Sequence, residues 1–150
     1  MPEQTWTPIK PCSFSLPISL QESFMVNGIP TDFSLERFSD KTVVLITQIG
    51  RIGTYIACTL EDNGLIDGST KSYQTVILLG PRNNPFAEIC ARQIHEHIRQ
   101  FELGLNCAGN FGADIPSLLL GITLRAEEQT RECMHELITC VVNLYSRSVI

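Results

Sequence analysis

The chain has 150 residues, of which 43 % are hydrophobic and 18 % charged, and a formal net charge of −5. That length suits one domain with a sizeable buried core, and that composition lies far from the disordered range. The acidic balance, with Lys and Arg scattered and never in a run, argues against holding nucleic acid or an acidic membrane surface by electrostatics.

No apolar run approaches the roughly 20 residues that span a bilayer. The opening MPEQTWTPIKPC lacks the charged-then-apolar order of a secretory signal, so the expected location is the cytoplasm or nucleus. Six cysteines (Cys12, Cys58, Cys90, Cys107, Cys133, Cys140) form no C-x-x-C pair and mostly fall at apolar-periodic positions. In a reducing compartment such thiols are expected to stay free and pack as small hydrophobes.

Residues 1–18 carry Pro2, Pro8, Pro11 and Pro17 and read as a loose N-terminal arm, leaving 19–150 as a single domain. Ser19–Val26, the turn Asn27-Gly28-Ile29-Pro30 and Thr31–Phe38 predict a hairpin. Within it Phe33 and Leu35 alternate with Ser34 and Glu36, so one side should be solvated. Next comes TVVLITQIGRIGTYIACTL, residues 42–60, which predicts two apolar strands joined by a tight turn that Gly50 and Gly53 flank. Both faces of these strands are apolar at their centres. Residues 61–71 hold Asn63-Gly64 and Asp67-Gly68 and read as a loop, followed by a fifth strand over Tyr73–Leu79.

Asn83-Asn84-Pro85 reads as an N-cap with proline in the first helical position, and the helix should run to about Glu102, stopped by Gly104. Its expected apolar stripe is Phe86, Cys90, Ile94, His97, Ile98 and Phe101, which leaves His95 in water. Residues 104–116 form a glycine-rich loop, and Ser117–Leu124 reads as a sixth strand. The last helix is expected to begin near Ala126, with Glu127 and Glu128 in its first turn and Arg147 just past its end, as the helix dipole favours.

The order is therefore β-β-β-β-β-α-β-α, an α+β fold with a six-stranded, mainly antiparallel sheet and two helices on one face. Apolar residues on the second face need a cover, and the simplest is another subunit. Either Val43, Leu45, Val76 and Leu78, or their opposite-face neighbours Val44, Ile46, Ile77 and Leu79, are expected to build that dimer interface.

Residues that carry chemistry do not converge. His95-Glu96-His97 is not a zinc helix motif, because i and i+2 diverge by about 200° on a helix. No G-x-S-x-G or G-x-G-x-x-G occurs, and Cys107 in the glycine-rich loop has no marked partner. Asp62, Asp67 and Asp114 are most simply solvated loop acids. Gly50-Arg51-Ile52-Gly53 has the G-x-x-G form that clamps nucleic-acid backbones between helices, but here it joins strands in an acidic chain and reads as a β-turn. Neither a cofactor nor a metal is expected.

Three segments resemble one family. Val26-Asn-Gly-Ile-Pro-Thr31 resembles the early V-x-G-[VI]-P-T turn of the proteasome assembly chaperone 3 family. Val44-Leu-Ile-Thr-Gln-Ile-Gly-Arg-Ile-Gly-Thr54 is similar to its V-L-[VI]-T-Q-[FI]-G-[KR]-[IM]-G-T passage, and Val76-Ile-Leu-Leu-Gly80 to its V-L-L-G passage into a helix. The resemblance spans roughly residues 20–145; the proline-rich arm and the loop Gly104–Asp114 depart from it by their length. It implies a non-enzymatic chaperone of 20S proteasome assembly. Such a chaperone pairs with a proteasome assembly chaperone 4-like subunit, or with itself. It holds alpha-type subunits, alpha-type 5 foremost, during alpha-ring formation, and leaves before the particle matures. Gln48, Arg51 and Ile52 are the expected client contacts. Two other roles remain open on the same fold: a small-molecule-binding or enzymatic domain using loop 104–114, and a dimeric scaffold of another complex.

Overall fold

A computed structural model of the chain describes residues 18–62, 71–105 and 116–149. Strands β1 (Ile18–Val26) and β2 (Ile29–Arg37) pair antiparallel through the two-residue turn Asn27-Gly28. Both turn residues have positive φ, 51° and 77°, the geometry whose twist matches that of the flanking strands. Strands β3 (Lys41–Thr47), β4 (Thr54–Asp62) and β5 (Lys71–Leu79) follow, then helix α1 (Pro85–Leu105), strand β6 (Ser117–Thr123) and helix α2 (Arg131–Ser148). The six strands form one sheet in the order β1-β2-β3-β6-β4-β5.

The sequence led us to expect β3 and β4 to pair directly. Instead β6 lies between them, parallel to β3 and antiparallel to β4. The segment Gln48–Gly53 is therefore a bridge across the end of β6 and not a hairpin turn. It is fastened to that strand at both ends: Gln48 N donates to Thr123 O at 3.0 Å, and Gly53 N to Thr123 Oγ1 at 2.5 Å. A strand arriving after a helix can enter between two earlier strands, and only apolar patterning on both faces of β3, β4 and β6 hinted at so central a group.

Both helices cover one face, α2 over β1 and β2, α1 over β4, β6 and β5, and they pack on each other. Cross-strand rows beneath them read Leu35–Val44–Leu120–Ile56–Ile77 and Phe33–Ile46–Ile122. All but the half-buried Ile77, at the edge, are buried. From the helices come Ala87, Cys90, Ala91, Ile94 and Ile98, and Cys133, Leu137, Val141, Leu144 and Tyr145.

Several helical details differ from the sequence reading, and α1 runs through Gly104 to Leu105 instead of stopping near Glu102. Helix α1 begins as expected, with Asn84 Oδ1 accepting from Ala87 N at 3.2 Å and Pro85 in first position. Its buried stripe, however, is turned toward the small residues Ala87 and Ala91, which let the helix approach the sheet closely. That rotation buries His95 at 1 % exposure and leaves His97 half-buried, its Nδ1 2.7 Å from the Gln93 carbonyl oxygen. The last helix starts at Arg131, not Ala126: Ala126–Glu128 is a separate 3-10 turn, and Thr130 is the N-cap, its side chain accepting from Cys133 N at 3.2 Å. Arg147 lies in the last turn of α2, not beyond it.

Candidate interaction surface

Because successive strand residues point to opposite faces, the rows between those just described face away from the helices. The first reads Gln21–Ser34–Leu45–Gly121–Tyr55–Leu79 and the second Ser19–Glu36–Val43–Leu119–Ala57–Val76. Each row is polar on β1 and β2 and turns apolar at β3. The open face thus has a polar half over β1–β2 and an apolar half over β3–β6–β4–β5.

The eight expected interface residues separate between the two faces. Val44 and Ile46 lie in the core at 1 % and 0 % exposure, and Ile77 is half-buried on the same face. Val43 and Leu45 lie on the open face, half-buried, and Val76 and Leu78 lie there at 51 % and 60 % exposure. Leu79 departs from simple alternation. A register shift between Tyr55 and Ile56 makes Leu78 an extra residue in β5, so Leu79 pairs with Tyr55 and stands 56 % exposed beside its neighbour. Leu119, Tyr55 and Gly121 complete the surface, and the sequence reading did not single them out. Gly121 is recognisable only once its row is known: a Cβ there would stand 2.7 Å from Leu45 Cδ2, 2.9 Å from Ile52 Cγ2 and 3.0 Å from Tyr55 Cε1. Its missing side chain is the floor on which those three side chains meet.

The bridge Gln48–Gly53 frames one end of this face. Gln48 is committed inside the fold: its Nε2 donates to Thr31 Oγ1 at 3.2 Å and its Oε1 accepts from Arg125 N at 3.0 Å. Thr47 Oγ1 ties the bridge from within, donating to Arg51 O at 2.8 Å and accepting from Ile49 N at 3.2 Å. Arg51 is exposed, Ile49 is 44 % exposed, and Ile52 packs inward over Gly121. Between Arg51 and the β1–β2 ribbon lies a groove of about 550 Å³, lined chiefly by Gln21, Ser23, Asp32, Leu45, Thr47 and Arg51. Of the three expected client contacts, only Arg51 is exposed; Gln48 and Ile52 are half-buried.

Titratable groups elsewhere serve the fold. Burial raises the thiols of Cys58, Cys90 and Cys133 to about 11, 12 and 11, so they stay protonated at neutral pH and are poor nucleophiles. Partial burial works against the Glu96 carboxylate. Hydrogen bonds from Tyr73 and Gln100, and the charge and hydrogen bonds of Arg99, outweigh it and lower its pKa. Among the described residues no three His, Cys, Asp or Glu side chains gather at a metal-sized site, and no helix is long and apolar enough to cross a membrane. Cys107, Asp67 and Asp114 lie outside the described residues, as does loop 104–114 beyond its first two positions.

A family model described as proteasome assembly chaperone 3 matches residues 44–143, 100 of the 150 positions. The chain belongs to the proteasome assembly chaperone 3 family. Relatives bearing that description include one from Nematostella vectensis, 28 % identical over 90 residues, which covers 56 % of this chain and 66 % of the relative. One from Homo sapiens is 28 % identical over 85 residues, covering 57 % and 68 %. The matched stretch thus spans about two thirds of these relatives' length. The fold also matches a chain in the crystal structure of a chaperone complex for yeast 20S proteasome assembly, with TM-score 0.61 and 16 % identity over 85 % of this chain and 98 % of that one. Of the three resembling segments, Val44–Thr54 and Val76–Gly80 lie inside the family match, and Val26–Thr31 precedes it.

Proposed function

We propose that this chain is a dedicated, non-enzymatic assembly chaperone of the 20S proteasome, working as one half of a dimer. Membership of the chaperone 3 family carries the reading. The open sheet face supports it physically, because Val43, Leu45, Leu119, Val76, Leu78 and Leu79 form an apolar surface too continuous to be left in water. The partner across that surface is a proteasome assembly chaperone 4-like subunit, or a second copy when the chain is isolated. The dimer holds alpha-type subunits, alpha-type 5 first, while the alpha-ring forms in the cytoplasm or nucleus, and departs before the particle matures. Arg51 and the adjoining groove contribute to client contact, with Ile52 and Gln48 shaping the bridge that presents Arg51.

The decisive experiment is a pull-down of tagged chain from its own cell extract, read by native mass spectrometry. A second small subunit recovered with alpha-type subunits, and without mature particles, is the expected result. A partner-free monomer, or co-purification with mature particles, would overturn the proposal.

A further inference from the structure

The turn Asn27-Gly28 belongs to the first of the three resembling segments, and the chaperone function leaves it unused. Two carboxylates from the far end of the chain close on Asn27. Its backbone N–H donates to Glu136 Oε2 at 2.6 Å, and its side-chain Nδ2 donates to Glu128 Oε2 at 3.1 Å. Glu136 projects from α2 and is exposed; Glu128 ends the 3-10 turn and is buried at 7 % exposure. No cation forms an ion pair with either carboxylate among the described residues. The tip of the β1–β2 ribbon is therefore latched to the helical layer by neutral donors set between two negative charges.

The residue that makes the latch is also open to chemical change. Asn27 is exposed and followed by Gly28, around which a Cβ would meet nothing within 4 Å. We propose that Asn27 is a deamidation site, and that its conversion turns the latch into a repulsion. The Gly28 backbone nitrogen attacks Asn27 Cγ, the Cγ–Nδ2 bond breaks, and ammonia leaves with the proton lost by Gly28, closing a succinimide. Water then opens the ring at either carbonyl, leaving aspartate or isoaspartate. Residue 27 gains one negative charge and loses the donor that faced Glu128. A carboxylate placed against a buried carboxylate disfavours the charged pair, and the ribbon tip is driven from the 3-10 turn and α2.

The full-length chain is incubated in mildly alkaline buffer until a synthetic peptide of residues 22–32 has converted, and both are mapped for isoaspartate by mass spectrometry. Asn27→Asp, Asn27→Gly and the double variant Asn27→Asp/Glu128→Gln are melted beside it. Asn27→Gly removes the donor without adding charge and keeps a residue suited to positive φ. Isoaspartate at position 27 is expected in the intact protein. Asn27→Asp is expected to melt about 5 °C below Asn27→Gly, with Glu128→Gln restoring most of the gap. An Asn27 still intact when the peptide has converted, or equal melting of the Asp and Gly variants, would overturn the proposal.

Discussion

His95 is the one fully buried histidine among the described residues, at 1 % exposure. Its Nε2 lies 3.0 Å from the Pro116 carbonyl, an acceptor only, so that nitrogen carries the proton and fastens α1 to the start of β6. Among the described residues Nδ1 has no partner, and the Tyr73 ring lies 5.2 Å away. Burial lowers the imidazole pKa, against the opposing pull of the Pro116 bond. At pH 7 the unfolded ring is already mostly neutral, so keeping it neutral in the fold costs little. Below the unfolded value of about 6.5, the unfolded chain takes up a proton that native His95 refuses, so stability falls as pH falls, at up to about 1.4 kcal/mol per unit, until the folded pKa is reached. The variant His95→Gln keeps a donor for Pro116 O and removes the titration. Urea unfolding between pH 7 and 5 should therefore show a shallower loss of stability for His95→Gln than for the parent; equal slopes would show that His95 titrates alike in both states. Position 95 was misread in the sequence because a helical stripe was drawn through the large residues. Its true centre runs through Ala87, Ala91 and His95, spaced by four, where small side chains bring the helix nearest the sheet.

Elements were legible where local chemistry decides them. The Asn-Gly turn, the Asn84-Pro85 helix start and the alternation Phe33–Ser34–Leu35–Glu36 act within a few residues and were legible, although Ile29 and Pro30, read as turn, already pair in β2. What remained hidden depends on distant partners. Nothing local to β3 or β4 announces that β6 inserts between them, and the shift that turns Leu79 outward arises only from pairing with Tyr55. The start of α2 is an intermediate case. Glu127 and Glu128 look like first-turn acids, but Thr130 followed three residues later by Cys133 supplies the actual cap. Removing its hydroxyl with Thr130→Ala should cost about 1 kcal/mol and lower Tm by roughly 2–4 °C. Thr130→Ser should retain most of the parent stability, and a Ser variant as weak as Ala would show that the methyl packing, not the cap, is the source.

At the scale of the whole molecule, the division of the open face into halves makes the proposed dimer testable without knowing the partner. A subunit seated on the apolar half covers Val76 and Leu78; one seated on the polar half covers Ser34 and Glu36. Inserting a lysine into a buried apolar contact leaves an ammonium without its water, a penalty of several kcal/mol. Val76 and Leu78 are 51 % and 60 % exposed in the single chain, so Val76→Lys and Leu78→Lys leave its own core untouched. These variants should fold with parental circular dichroism yet run as monomers by light scattering, while Ser34→Lys keeps the dimer mass. Because association stabilises only the folded state, the parent's Tm should rise with protein concentration and that of Val76→Lys should not. A dimer indifferent to lysine at 76 and 78 but broken by lysine at 34 would move the interface to β1–β2. The apolar half would then be the surface offered to the client.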